Sequence, residues 1–310
     1  MAALLCAGLP PVPCAAASGL RVAVIADLNG EYGSAEYGAP VRAGVKAIVG
    51  EKPGLVLIAG DMVAGGKASL SDGQVENMWA GFDAAVAGPL AAAGIPLAPT
   101  PGNHDASAYG GNERDRRLYE RHWPAAEARL NFLDGAHYPF EYAFSAGGAL
   151  FIALDQTTLK KLTADRLAWL DGVLTTNADF KAKIVFTHVP LFPFTQGRET
   201  EVTGDFELEA LLARHGVTLV ITGHHHGYYP GRRGKVRYAG AGCLGGGPRK
   251  LIGTAKTSAQ SFLWLTIGAD RAVDVEAAPY PGFSSGIARE TLPSSLGDGG
   301  AKYFRDDLAR

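Results

Sequence analysis

Cysteine is scarce in this chain. Three stand among 310 residues, and two of them, Cys6 and Cys14, fall at the very start. Cys243 is left alone in the body of the sequence, which excludes an internal disulfide framework. Neither sign of charge dominates: 29 lysines and arginines face 31 aspartates and glutamates, a net charge of −2. Nothing in that balance draws nucleic acid or an anionic membrane surface, so an anionic substrate has to be held by local charge. No apolar run is long enough to span a bilayer. The HExxH signature of a single-zinc protease is missing, and so is any internal repeat.

The first stretch, "MAALLCAGLPPVPCAAASGL", is apolar and carries no charge before Arg21. It has the apolar segment and small-residue region of a secretory signal, with "AAAS" (15–18) as the cut. The expectation is a signal or disordered segment over 1–19 and export to a periplasmic or secreted location, with a cytoplasmic protein as the alternative. One domain is expected over 20–280, followed by a Gly/Ser/Pro-rich surface extension over 281–310.

Five apolar runs each end in small or polar residues: "LRVAVIAD" (20–27), "LVLIAGD" (55–61), "IPLAPTPGNHD" (95–105), "KIVFTH" (183–188) and "VTLVITGHHH" (217–226). Such runs read as strands buried on both faces. Helical spacing separates them. Val75, Met78, Trp79, Phe82, Val86 and Leu90 share one stripe, with Pro89 expected to kink or end it. Leu167, Leu170 and Leu174 form a second stripe, and Leu208, Leu211 and Leu212 a third; Trp79, Trp169 and Trp264 sit on apolar patterns and read as core. "SFLWLTIGADRAVDVEA" reads as a hairpin about "GAD" (268–270). Alternating strands and helices with such hairpins predict α/β layers with mixed sheets.

In open α/β sheets function gathers at the carboxyl ends of strands. The residues that end the five runs are Asp27, Asp61, Asn103 with His104, His188, and then His224 and His226. Taken singly, each has a bland reading as a helix cap, a turn residue or a hydrogen-bonded imidazole. Together they are the oxygen and nitrogen donors that bind divalent cations. In extended backbone, side chains two apart point the same way, so His224 and His226 are expected to face one site while His225 turns away. The set exceeds one tetrahedral shell, and Asp61 could bridge two ions.

These motifs, "ADLN" (26–29), "GD" (60–61), "GNHD" (102–105), "TH" (187–188) and "GHHH" (223–226), resemble those of the calcineurin-like metallophosphoesterase superfamily. The resemblance implies a four-layer α/β/β/α sandwich of two mixed β-sheets. It also implies Asp27, Asp61 and His226 on one metal, and Asp61, Asn103, His188 and His224 on the other. The implied function is hydrolysis of phosphoric esters, by a phosphatase or phosphodiesterase in which a metal-activated hydroxide attacks phosphorus. His104 would protonate the leaving group and Asp105 would orient it. The metals implied are manganese, iron or zinc, and the partner is a phosphorylated small molecule or macromolecule.

The match departs in two places. The first motif ends in Asn29 where the family has histidine, so Asn29 or Tyr32 completes that metal site. Ala64 stands where the purple acid phosphatase branch has a tyrosine and the phosphoprotein phosphatase branch an aspartate, which points to a bacterial-type branch. "GAGCLG" (240–245) lacks the following helix of a dinucleotide site. It reads instead as a loop beside the metals, with Arg249 or Lys250 touching substrate phosphate. The competing functional reading is a catalytically impaired member that binds a phosphorylated ligand without turnover.

Overall fold

A computed structural model describes residues 19–308; the expected signal segment lies almost wholly outside them. The chain alternates β1 (Leu20–Ile25), α1 (Ala39–Glu51), β2 (Leu55–Ala59), α2 (Asp72–Phe82), α3 (Gly88–Ala92) and β3 (Leu97–Thr100). The short α4 (Asn103–Ala106) and α5 (Glu113–His122) lead to β4 (Asn131–His137), β5 (Glu141–Ala146) and β6 (Ala149–Ala153). Then come α6 (Ala164–Thr176), β7 (Lys183–Thr187), α7 (Phe206–Arg214), β8 (Leu219–Thr222), β9 (Tyr228–Arg233) and β10 (Val236–Ala241). The hairpin β11 (Ser261–Ile267) and β12 (Val273–Pro279) precedes two short strands, β13 (Ser295–Leu296) and β14 (Tyr303–Arg305).

These strands build two mixed sheets, β12-β11-β1-β2-β3 and β13-β14-β9-β10-β8-β7-β6-β5-β4. Side chains alternate across each strand, so one strand serves two cores. Val22 and Val24 of β1 point between the sheets, where they meet Phe144, Phe151 and Phe186. Ala23 and Ile25 point outward onto Val41, Val45 and Ile48 of α1 and Phe82 of α2. On the far side Val185 and Val220 pack against Leu170 and Leu174 of α6 and Leu212 of α7. The result is the expected four layers, helix–sheet–sheet–helix. It also explains the unbroken apolar runs: neither face of these strands meets water.

The β1–β2–β3 neighbours run parallel, as do β6–β7–β8 and β8–β10. Their carboxyl ends therefore gather along one edge of each sheet. Two threonines join the sheets there, since Thr100 at the end of β3 and Thr187 at the end of β7 both donate to the carbonyl of Leu154.

Three expectations need correcting. Pro89 does not end its helix. A π-helical segment, Asp83–Ala87, absorbs the irregularity, and Pro89 falls in the first turn of α3, where an N–H is not required. The C-terminal extension is not a loose wrap: β14 pairs with β9 and β13 with β14, and Leu296 and Tyr303 are buried. Of Trp79, Trp169 and Trp264, all read as core, Trp169 is only half-buried and gives its indole N–H to Asp134.

Candidate metal centre

The five motifs meet where the two sheets' carboxyl ends face each other. Donor atoms of Asp27, Asp61 and His188 all lie within 4.8 Å of one another, and all three residues are buried. Asn103 Oδ1 is 3.0 Å from His188 Nε2, and Asp61 Oδ2 is 3.3 Å from the same nitrogen. His226 Nε2 stands 3.2 Å from Asp27 Oδ1. The His224 ring lies 5.1 Å from that of His188. Two donors held at about 2.1 Å by one cation are about 3.0–3.4 Å apart, so these separations match shared ligation.

The local backbone is bent to reach this arrangement. Asp27, Asp61, His224 and His226 all have φ between 51° and 63°, the left-handed region. Each such residue costs about 1 kcal/mol or more, a strain that collects where function demands it. The expectation that His224 and His226 align through extended backbone is therefore overturned in its reason. The strand stops at Thr222, and two left-handed residues with His225 between them aim both rings. His225 turns away as expected. It is fully buried, packs 4.5 Å from Phe194, and donates to the carbonyl of Glu201.

The glycines of the second and third motifs have a steric cause. A Cβ on Gly60 would lie 2.4 Å from His188 Nδ1, and one on Gly102 would lie 2.1 Å from Asp61 Oδ1. The motifs interleave so closely that one motif's ligand fills the space of the next one's side chain. Backbone bonds complete the weave, with Leu28 N–H and Asn29 N–H on the Asp61 carbonyl. The loop after β10 closes it, Gly245 N–H reaching the Asp27 carbonyl and Gly246 N–H that of Asn29.

Several side chains are oriented by second partners. His188 Nδ1 donates to the Ala59 carbonyl, leaving Nε2 for the centre, and His226 Nδ1 does the same toward Gly247. Asp105 does not orient His104. Its two oxygens accept from the N–H groups of Val63 and Gly102, so it clamps the second motif to the third. His104 lies at the mouth, its side chain 25% exposed and Nε2 3.9 Å from Asp61 Oδ2. Tyr32 lies over His104, ring centres 5.0 Å apart, with Lys67 above it. Asn29 is buried at the end of the first motif. Arg249 is half-buried and donates to the His224 carbonyl, whereas Lys250 is exposed and lies on a bridge to Thr257.

Two residues escaped the sequence reading. Glu201 Oε2 sits 3.1 Å from His224 Nε2, and Arg198 pairs with Glu201. Both lie in a polar loop over 189–204, and no periodicity marks them.

The electrostatics ask for positive charge. Burial alone would raise Asp61, yet the imidazoles of His188 and His104 hold its carboxyl far below the usual range. Burial likewise opposes charge on His188, but Asp61 and Asp27 overcome it and push the imidazole up to about 9. A proton drawn to that nitrogen supplies what a cation would supply better. Burial lowers His224 to about 2, which keeps it neutral and able to ligate. Its Nε2 is buried and has no hydrogen-bond partner. An orphaned imidazole nitrogen facing carboxylates fits a bound metal.

Fold and donor set together define a metallophosphoesterase. The chain belongs to the calcineurin-like phosphoesterase family, whose sequence model matches residues 20–228. A purple acid phosphatase from yellow lupin (Lupinus luteus) superposes with a TM-score of 0.64 at 19% identity, over 84% of this chain and 52% of that one. This chain thus spans about half the lupin protein's length. GAP50, the anchor in the inner membrane complex of Plasmodium, gives 0.59 at 14% identity over 86% of each chain. A dimetal phosphatase from Danio rerio gives 0.54 at 16%, over 85% of this chain and 100% of that one. At these identities the likeness is one of fold. No curated protein matches the sequence.

Proposed function

We propose that this protein hydrolyses phosphoric esters with two metal ions held by Asp27, Asp61, Asn103, His188, His224 and His226. The observation that carries the reading is the repeated 3.0–3.3 Å spacing between donors of different motifs. Asp61 stands between the two groups, and Asn29, buried beside Asp27, is the remaining oxygen donor for the first ion. A cation pair held by these residues would supply positive charge for the phosphate and activation of a water. The chain's own groups do the rest. His104, partly exposed at the mouth, gives a proton to the departing alkoxide. Tyr32 keeps its ring in place, and Arg249, fixed by the His224 carbonyl, meets a phosphate oxygen. The same mixed nitrogen and oxygen donors suit manganese, iron or zinc.

Metal analysis of the purified protein, followed by a panel of aryl phosphate mono- and diesters, tests the reading. Two ions per chain and metal-dependent turnover support it; a protein with no metal affinity and no turnover at any metal tested removes it. A second reading, ligand binding without turnover, has Asn29 and the likeness to the Plasmodium anchor in its favour. Against it, His104 is kept in position at the mouth, where a binding protein has no use for a proton donor. We also infer export from the apolar start. Fractionation of cells expressing the full chain tests this: cytosolic protein of undiminished mass refutes it.

A further inference from the structure

We infer that Glu201 is a further metal ligand, completing with His224 the second cation position; the inference rests on the two-metal reading above. Its basis is the approach of a carboxylate oxygen, the one that also pairs with Arg198, to a ring nitrogen of His224. Glu201 Oε2 lies 3.1 Å from His224 Nε2, yet that buried nitrogen takes part in no hydrogen bond. The imidazole nitrogen and the carboxylate oxygen come this close without the alignment of a hydrogen bond. A cation between them makes the approach favourable. The separation also falls within the 3.0–3.3 Å series of the motif-borne pairs, the spacing that about 2.1 Å ligand bonds produce.

The loop that carries Glu201 is built to deliver it. Thr203 and Gly204 N–H groups bond the carbonyls of Pro190 and Leu191, pinning one end of the loop beside the residues that follow His188. Glu201 N–H bonds the Arg198 carbonyl, and the Arg198 guanidinium pairs with the same carboxylate. From beneath, the ring of His225 donates to the Glu201 carbonyl. The middle histidine of "GHHH" therefore has a role of its own, positioning the loop ligand while its neighbours face the ions. The Arg198–Glu201 pair is partly exposed, and such a pair holds a loop only weakly.

Glu201 also changes the donor balance. The position shared by Asp61, Asn103, His188 and His224 otherwise has one carboxylate, divided between two ions. An additional oxygen anion of its own strengthens that position for a hard cation such as Mn²⁺.

The test uses the full chain, stripped with a chelator, titrated with MnCl₂ alone by calorimetry, and analysed for bound manganese. Wild type is expected to take two ions. Glu201→Gln keeps the shape of the side chain and is expected to bind one ion as wild type does and the other at least about tenfold more weakly. Glu199→Gln removes a neighbouring exposed carboxylate and is expected to titrate as wild type. Circular dichroism melts of the stripped variants verify that each is folded. Two full-strength ions in Glu201→Gln overturn the inference and leave the two-metal reading standing. Equal weakening in both variants also overturns it, as general electrostatics. Fewer than two ions in wild type overturns the two-metal reading, and this inference with it.

Discussion

Asp61 and Asp306 are both aspartates withdrawn from water, and they are treated in opposite ways. Asp306 has each oxygen covered: Arg237 donates twice to Oδ2, and Arg289 donates to Oδ1 at 2.8 Å. Those guanidiniums spend further N–H groups on the carbonyls of Val273 and Val275 in β12, so the network ties the edges of the two sheets together. Two guanidiniums hold the one carboxylate, and neither of its oxygens is left without a partner inside the protein. Asp61 faces Asp27 across a few ångströms, accepts one backbone N–H from His104, and turns Oδ2 toward His188. Its surroundings hold left-handed backbone, an unpartnered imidazole nitrogen and a histidine forced toward protonation. A buried charge matched inside the chain is structure. Buried donors that converge without matching one another are a site, and the charge they lack belongs to a ligand.

The widest gap between the two clusters should appear on removing Asp61. Asp61→Ala takes away the carboxylate common to both ions and is expected to abolish metal binding and reduce turnover to background, more than about 10⁴-fold, since the nucleophile depends on the ions. Mass spectrometric metal analysis alongside phosphoester assays reads both losses. His104→Ala is expected to keep the metals and lose about 10²–10⁴-fold in rate, the usual contribution of a general acid. An alanine variant at His104 that loses its metals instead would move that residue from proton donor to ligand.

Much of this centre was legible because parallel strands buried on both faces leave a plain trace. Each apolar run stops where the chain reaches the sheet edge, and the first polar residue after it is the one delivered to the rim. The residues that converge on the candidate centre are reached this way, but how they are aimed is not. The left-handed turns at Asp27, Asp61, His224 and His226 have no signature in residues that rarely adopt them. Asp105 stands next to His104 in sequence, yet its oxygens go to backbone N–H groups on another motif, a contact set by tertiary packing. Strands β13 and β14 are two and three residues long in a Gly- and Ser-rich stretch, too short for alternation to show. The pairing of β14 with β9 is tertiary, and so are the bonds of the neighbouring Asp306 to Arg237 and Arg289, 69 and 17 residues away. Helix α1 was missed although Val41, Val45 and Ile48 share its buried face. Glu201 is likewise a product of loop placement alone.

Asp306→Ala tests the other side of the comparison. It leaves Arg237 and Arg289 facing each other with their counter-charge gone, at a cost of about 3 kcal/mol, the lower end for a broken buried pair because Arg289 keeps 23% of its side chain exposed. The expected result is a lower melting temperature with manganese affinity unchanged. Loss of metal at intact stability would mean that the two clusters are not separate in kind.

The smallest effect concerns a third buried group, His122, which is withdrawn from water but has no converging donors. It stacks on Trp79 at 4.2 Å, touches Phe82 and Trp123, and has Asp83 Oδ1 3.4 Å from Nε2. Burial lowers its pKa from 6.5 to about 4. Between those values the unfolded chain binds a proton that the folded chain refuses. The stability His122 permits is therefore complete above pH 6.5 and declines as pH falls toward 4. At about 1.4 kcal/mol per pKa unit the full decline is on the order of 3–4 kcal/mol. His122→Phe, which keeps the aromatic packing, is expected to flatten this acid slope in urea melts run at about pH 7, 5.5 and 4.5. Manganese should not shift the wild-type slope in this window through His122, because one carboxylate and two indoles make no cation site. An unchanged slope in His122→Phe would place the acid sensitivity elsewhere and leave burial alone unable to separate a structural imidazole from a ligand.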